Sequence, residues 1–149
     1  MAIGSIHDEA DRAGLARRIR SVRPDSKAKW GKMNAAQMLE HCARFDHWIQ
    51  EGGPNRQTFM GRLFGRIALK RVLRPDKPMD RNIPTMPSLV APLDTDFARA
   101  QQAWLSSLEA YAGHDADRFV HDFFGPINRQ ELGAFVWRHA DHHLKQFGA

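Results

Sequence analysis

Cysteine is nearly absent from this chain of 149 residues. Its one thiol, Cys42, cannot close an intrachain disulfide, so a disulfide scaffold is excluded and a reducing compartment is expected. Long apolar runs are missing as well. No stretch approaches the roughly 20 residues of a membrane-spanning helix, and Met1 to Arg12 lacks the apolar core of a signal peptide. There is no internal repeat, no GxGxxG and no phosphate loop, which leaves dinucleotide and P-loop chemistry without a motif. No Ser–His–Asp order is recognisable, and no strand-like alternation stands out. A soluble cytoplasmic protein is expected.

What is present is ordinary in bulk. Hydrophobic residues make up 42% and charged residues 26%, enough apolar content for one domain over residues 1–149 to bury a core. The net charge of +5 permits nucleic acid or an anionic ligand as partner without requiring either.

Taken in order, Ser5 with Asp8 three residues later reads as a helix start, and Leu15, Ile19 and Val22 share one face before Pro24 ends the helix. Arg17, Arg18, Arg20 and Arg23 lie on the other, solvated face. Residues 24–33 form a loop. Asn34 with Gln37 is a capping-box pattern that opens a helix with Met38, His41, Cys42, Phe45, Trp48 and Ile49 on one stripe. Gly52-Gly53-Pro54 ends it. Residues 57–73 predict a shorter helix with Phe59, Leu63, Phe64 and Ile67 apolar and a basic outer side from Arg62 to Arg74. Five of the eight prolines follow between Pro75 and Pro92, excluding a regular helix and suggesting a crossover that walls a site. Asp94 or Thr95 caps the next helix, whose stripe is Phe97, Ala100, Trp104, Leu108 and Tyr111. Gly113 stops it. Residues 113–127 form a second connection. Asn128 with Glu131 then opens the last helix, which Gly148 closes.

That last helix holds the most informative pattern. Leu132, Phe135, Val136 and Phe147 recur at three- and four-residue steps, and His139 and His143 fall on the same stripe. Arg138, Asp141 and Lys145 fall on the opposite, solvated side. Residues four apart on a helix are neighbours, so both imidazoles can face one centre. Buried polar rings need partners. A backbone carbonyl or carboxylate would satisfy each ring; a shared divalent metal would satisfy both. A catalytic metal site takes three protein ligands, and His41 is a third histidine on an apolar stripe. Cys42 points about 100° away from it around the helix and reads as a small core residue.

Trp30-Gly-Lys-Met33, Gln37-Met-Leu-Glu-His41, Phe124-Gly125 and Arg138-His-Ala-Asp-His-His-Leu-Lys-Gln-Phe-Gly148 together resemble the DinB/YfiT-like superfamily, and more narrowly a DinB-like subgroup of unknown function. The resemblance runs over nearly the whole chain in the right order. It implies an all-α, up-and-down four-helix bundle, here with an extra short helix and the long Pro-rich crossover. It also implies one divalent metal held by His41, His139 and His143. Zinc, nickel and iron(II) all suit three imidazoles.

The expected function is that of a metal-dependent enzyme acting on a small molecule, by hydrolysis or by transfer of a low-molecular-weight thiol as the resemblance implies. The alternative is a non-catalytic metal- or ligand-binding dimeric bundle protein. A nucleic-acid or anionic-surface role for the Arg62–Arg74 face is a third reading. The expected partners are a small molecule and a second copy in a homodimer. Nucleic acid is not expected, because no aromatic residues interleave the basic face for base stacking; no membrane partner is expected. His142, beside the ligands, and His121, in the connection before the last helix, are the acid/base candidates. His7, His47 and His114 read as surface residues.

Overall fold

In chain order the elements are α1 (Glu9–Ser21), α2 (Ala35–Gln50), α3 (Phe59–Val72), α4 (Phe97–Ala110), β1 (Arg118–His121), β2 (Gly125–Asn128) and α5 (Arg129–Gln146). The structure is a computed structural model and describes residues 3–54 and 56–149, so the reading of Met1 to Arg12 falls partly outside it. Both capping boxes form. Asn34 accepts from the Gln37 amide at 2.8 Å while the Gln37 side chain accepts from the Asn34 amide at 3.0 Å. Asn128 and Glu131 repeat the exchange at 2.9 and 3.2 Å. Each box satisfies two donors that a helix start leaves open. Elsewhere the caps are shifted: Asp8, not Ser5, caps α1, and Asp96, not Asp94 or Thr95, caps α4.

The all-α four-helix bundle is not what forms. Among the described residues five α-helices are joined by a two-stranded antiparallel sheet, so the fold is mixed α/β. The sheet lies in the expected second connection and pairs Phe119 with Ile127 and His121 with Gly125. Phe119 and Ile127 are buried and anchor the hairpin to the core. Strands of four residues are too short for alternation to register as a pattern. Gly125 ends the turn at φ +79°, a conformation that favours glycine.

The core lies among α1, α2, α4 and α5. Leu15 and Ile19 meet Met38, Leu39 and Ile49, Trp104 and Leu108, and Leu132, Val136 and Leu144. Burying one such side chain stabilises by about 1.5–3 kcal/mol. Two residues expected on the solvated side of α5 are covered instead. Arg138 is buried and donates to the carbonyls of Arg74 and Lys77 at 2.6 and 2.5 Å, strapping the chain after α3 onto α5. Asp141 binds Arg18 of α1 at 2.9 Å and Lys145 at 2.7 Å. Segments distant in sequence cross that face of α5.

α3 sits differently from its expected pose. Its buried positions are Gly61, Gly65 and Leu69. The two glycines lie flush on the Phe123–Phe124 backbone, where a Cβ on either would collide with the Phe123 carbonyl. Phe59, Met60, Leu63, Phe64 and Ile67 therefore point outward. The Pro-rich segment has one 3-10 turn, Pro87–Leu89, which lies against α2. Among the described residues no helix is long and apolar enough to cross a membrane.

Candidate metal centre

α2 and α5 bring His41, His139 and His143 together, with ring centroids 4.7 to 5.4 Å apart. One nitrogen from each lies within 4.8 Å of the other two. On a tetrahedral zinc with bonds of about 2.1 Å, nitrogen ligands are about 3.4 Å apart, a spacing of the same order. No carboxylate or thiolate joins the three among the described residues.

The surroundings decide which nitrogens are available. Nδ1 of His41 lies 3.0 Å from the Leu89 carbonyl. A carbonyl only accepts, so Nδ1 carries the hydrogen and Nε2 keeps its lone pair. Nδ1 of His143 lies 2.9 Å from Oε1 of Gln146, whose Nε2 donates to the Trp30 carbonyl at 2.8 Å. That second bond fixes the amide, so His143 also donates from Nδ1 and leaves Nε2 free. Metal-binding histidines are commonly oriented by such outer partners. His139 is half-buried and lies flat on Phe45, with centroids 3.8 Å apart and planes at 22°.

All three imidazoles resist protonation. Burial lowers His41, lowers His143 to about 3, and holds His139 well below its usual value; the neighbouring imidazoles add to the last two. The cluster is therefore three neutral bases near neutral pH, the form in which histidine binds metal. Cys42 is buried on another side of α2, its sulfur 3.9 Å from that of Met38, and burial raises its thiol pKa, with Asp46 adding to the effect.

The two acid/base candidates part ways. His142 is half-buried, its ring 5.1 Å from that of His143 and 5.4 Å from Trp30. It lines a groove of about 480 Å³ with Trp30, Arg81, Arg138 and Lys145; the three clustered histidines do not. His121 is a hairpin residue. Its Nδ1 accepts from the amides of Phe123 and Phe124 at 3.0 and 3.2 Å, and its ring packs against Trp48, Phe124 and Phe135. Burial lowers its pKa to about 4, so its 3.0 Å approach to Asp122 is no ion pair at neutral pH.

The other histidines also separate. His47 is exposed, as expected. His7 and His114 are half-buried and stack on each other at 6.2 Å beside Tyr111, contrary to a surface reading. Sequence reasoning missed the outer partners. Leu89 contributes only a carbonyl and has no signature. Gln146 stands three residues after His143, a spacing that places them together on a helix. Asp46 was missed too: it is buried on α2 and accepts from Ser107 and Tyr111, each at 3.1 Å.

Fold and cluster define a class: a mixed α/β domain with three histidines gathered between two of its helices. A family model described as a protein of unknown function (DUF1569) matches residues 8–149, and the chain belongs to that family. No curated protein and no solved structure matches it. These comparisons do not link the chain to the DinB/YfiT-like superfamily.

Proposed function

We propose that His41, His139 and His143 hold one divalent metal ion, zinc, nickel or iron(II), and that the centre acts on a small molecule by hydrolysis or thiol transfer. The observation that carries this is the pair of Nδ1 hydrogen bonds that leaves Nε2 of His41 and His143 with lone pairs beside His139. The same three positions are those implied by the resemblance to DinB/YfiT-like proteins.

Such an ion supplies Lewis acidity toward a carbonyl oxygen or a thiol sulfur. The chain's own contribution is orientation and a dry setting. The Leu89 carbonyl and Gln146 set two ring tautomers, and Phe45 packs on the third ring. Three protein ligands leave a coordination position for a small molecule. His142, whose ring lies 5.1 Å from that of His143, is the acid/base group in this reading; His121, whose Nδ1 is held in the hairpin turn, is not given that role. Free, buried Cys42 fits a reducing cytoplasm.

A second reading is a non-catalytic metal- or ligand-binding protein working as a dimer. Among the described residues only histidines make up the cluster, which favours this reading, since a hydrolase gains from a carboxylate base at the centre.

Cobalt(II) substitution tests the proposal. A visible spectrum that changes when 2-mercaptoethanol or acetate is added supports an open centre. A spectrum indifferent to every added ligand contradicts it.

A further inference from the structure

α3 is amphipathic, yet the fold uses almost none of its apolar side. Gly61, Gly65 and Leu69 make the buried contact. Five large apolar side chains face outward instead, from 50% exposed at Phe64 to 74% at Phe59. Phe59, Leu63, Ile67 and Lys70 follow one another at three- and four-residue steps, so they run as one line along the helix, and Arg74 lies two residues past its end. Apolar groups fill its first part and cations its last. Met60 and Phe64 widen the apolar part. From Arg56 to Arg74 there are six cations and no acidic residue. Arg66, Arg71 and Arg74 are paired with Glu131, Asp80 and Asp76; among the described residues Arg62 and Lys70 pair with no carboxylate.

We propose that the outward face of α3 docks on an anionic membrane surface, with Phe59, Leu63 and Ile67 entering the headgroup boundary and Arg62 and Lys70 meeting lipid phosphates and carboxylates. Interfacial helices combine these features: an apolar face, flanking Lys and Arg, and an affinity that depends on anionic lipid. The outward pose of the apolar stripe beside these cations is what favours a membrane surface over a merely solvated basic face.

A second copy fits this face less well. Two α3 helices packed together would oppose two acid-free cationic helices, and like charges across an interface are unfavourable. The face is also small. A helix of 14 residues is about 21 Å long and about 10 Å wide, well short of the roughly 800 Å² per partner of a stable interface.

Co-sedimentation of the full chain with vesicles tests this. One set is phosphatidylcholine; the other contains about a third phosphatidylserine. Binding is expected only to the second set, and is expected to fall at least tenfold between about 0.1 and about 0.5 M salt. The Leu63→Ser/Ile67→Ser double variant and Lys70→Glu, both altered only at exposed positions, should each weaken binding at least tenfold with unchanged circular dichroism. No binding to phosphatidylserine vesicles, equal binding to both sets, or binding unchanged in the variants overturns the proposal. A dimer that Leu63→Ser/Ile67→Ser dissociates, in a chain that ignores vesicles, assigns the face to a second copy and also overturns it. Metal content plays no part in any of these outcomes.

Discussion

Oε1 of Gln146 accepts the Nδ1 hydrogen of His143 at 2.9 Å. Because the same amide donates to the Trp30 carbonyl, its orientation is not free to reverse. The loop before α2 thus reaches the cluster through one side chain. Removing that acceptor lets the imidazole rotate and change tautomer. Gln146→Leu is expected to weaken metal affinity by about 10- to 100-fold while keeping all three ligands. Competition against a chromophoric chelator measures this. Unchanged affinity would show that Gln146 only packs.

The lowered imidazoles make a pH prediction for the metal-free protein. His143 is lowered to about 3 by burial, with His41 adding to the effect. Below about pH 6.5 the unfolded chain binds a proton there that the folded chain refuses. Stability from this group is therefore present above about pH 6.5 and is lost as pH falls toward 3. Urea midpoints at several pH values should show wild type losing more than His143→Gln on acidification. Parallel losses in the two proteins would contradict the assignment.

Asp46 acts with the opposite sign. Burial raises its carboxyl to about 7, partly offset by its hydrogen bonds from Tyr111 and Ser107. Between its unfolded value and about 7 the folded state holds a proton that the unfolded state releases, so stability falls as pH rises through that window. The cost near neutrality is on the order of a few kcal/mol. Asp46→Asn removes the titration. Its stability relative to wild type is expected to improve from pH 5 to pH 8; a constant difference would show that Asp46 does not titrate there.

Much of this was legible in the sequence, for reasons that separate the successes from the failures. Asn34 and Asn128 announce their helices because a capping box is local, needing only residues three apart. His41, His139 and His143 converge because helical period and apolar stripe agree. The hairpin escaped because Phe119 and Ile127 are made strand-like by pairing with each other, not by a run of neighbours. Arg138 and Asp141 escaped because their cover comes from α1 and the chain after α3, far away in sequence. α3 misled because its apolar stripe obeys the usual period while its buried face has only Leu69 as an apolar side chain, beside two glycines that carry almost no apolar signal.

That glycine face has its own consequence. Gly65→Ala should raise helix propensity by about 1 kcal/mol, but its Cβ would collide with the Phe123 backbone. Overpacking of this kind costs about 1–3 kcal/mol, and backbone cannot swing aside as a side chain can. Steric cost is expected to win. The thermal midpoint should fall, and hydrogen exchange in α3 and the hairpin turn should rise. A midpoint at or above wild type would show that α3 does not sit on Phe123.

The central claim is that three histidines from α2 and α5 hold one metal ion. Elemental analysis of purified protein, dialysed after loading with zinc, nickel or iron(II), tests it most directly. Wild type is expected to retain about one equivalent of a divalent metal, as a three-ligand site implies, and His139→Ala/His143→Ala to retain almost none while its circular dichroism stays helical. Stoichiometric metal in the double variant, or none in wild type under every loading condition, would contradict the account.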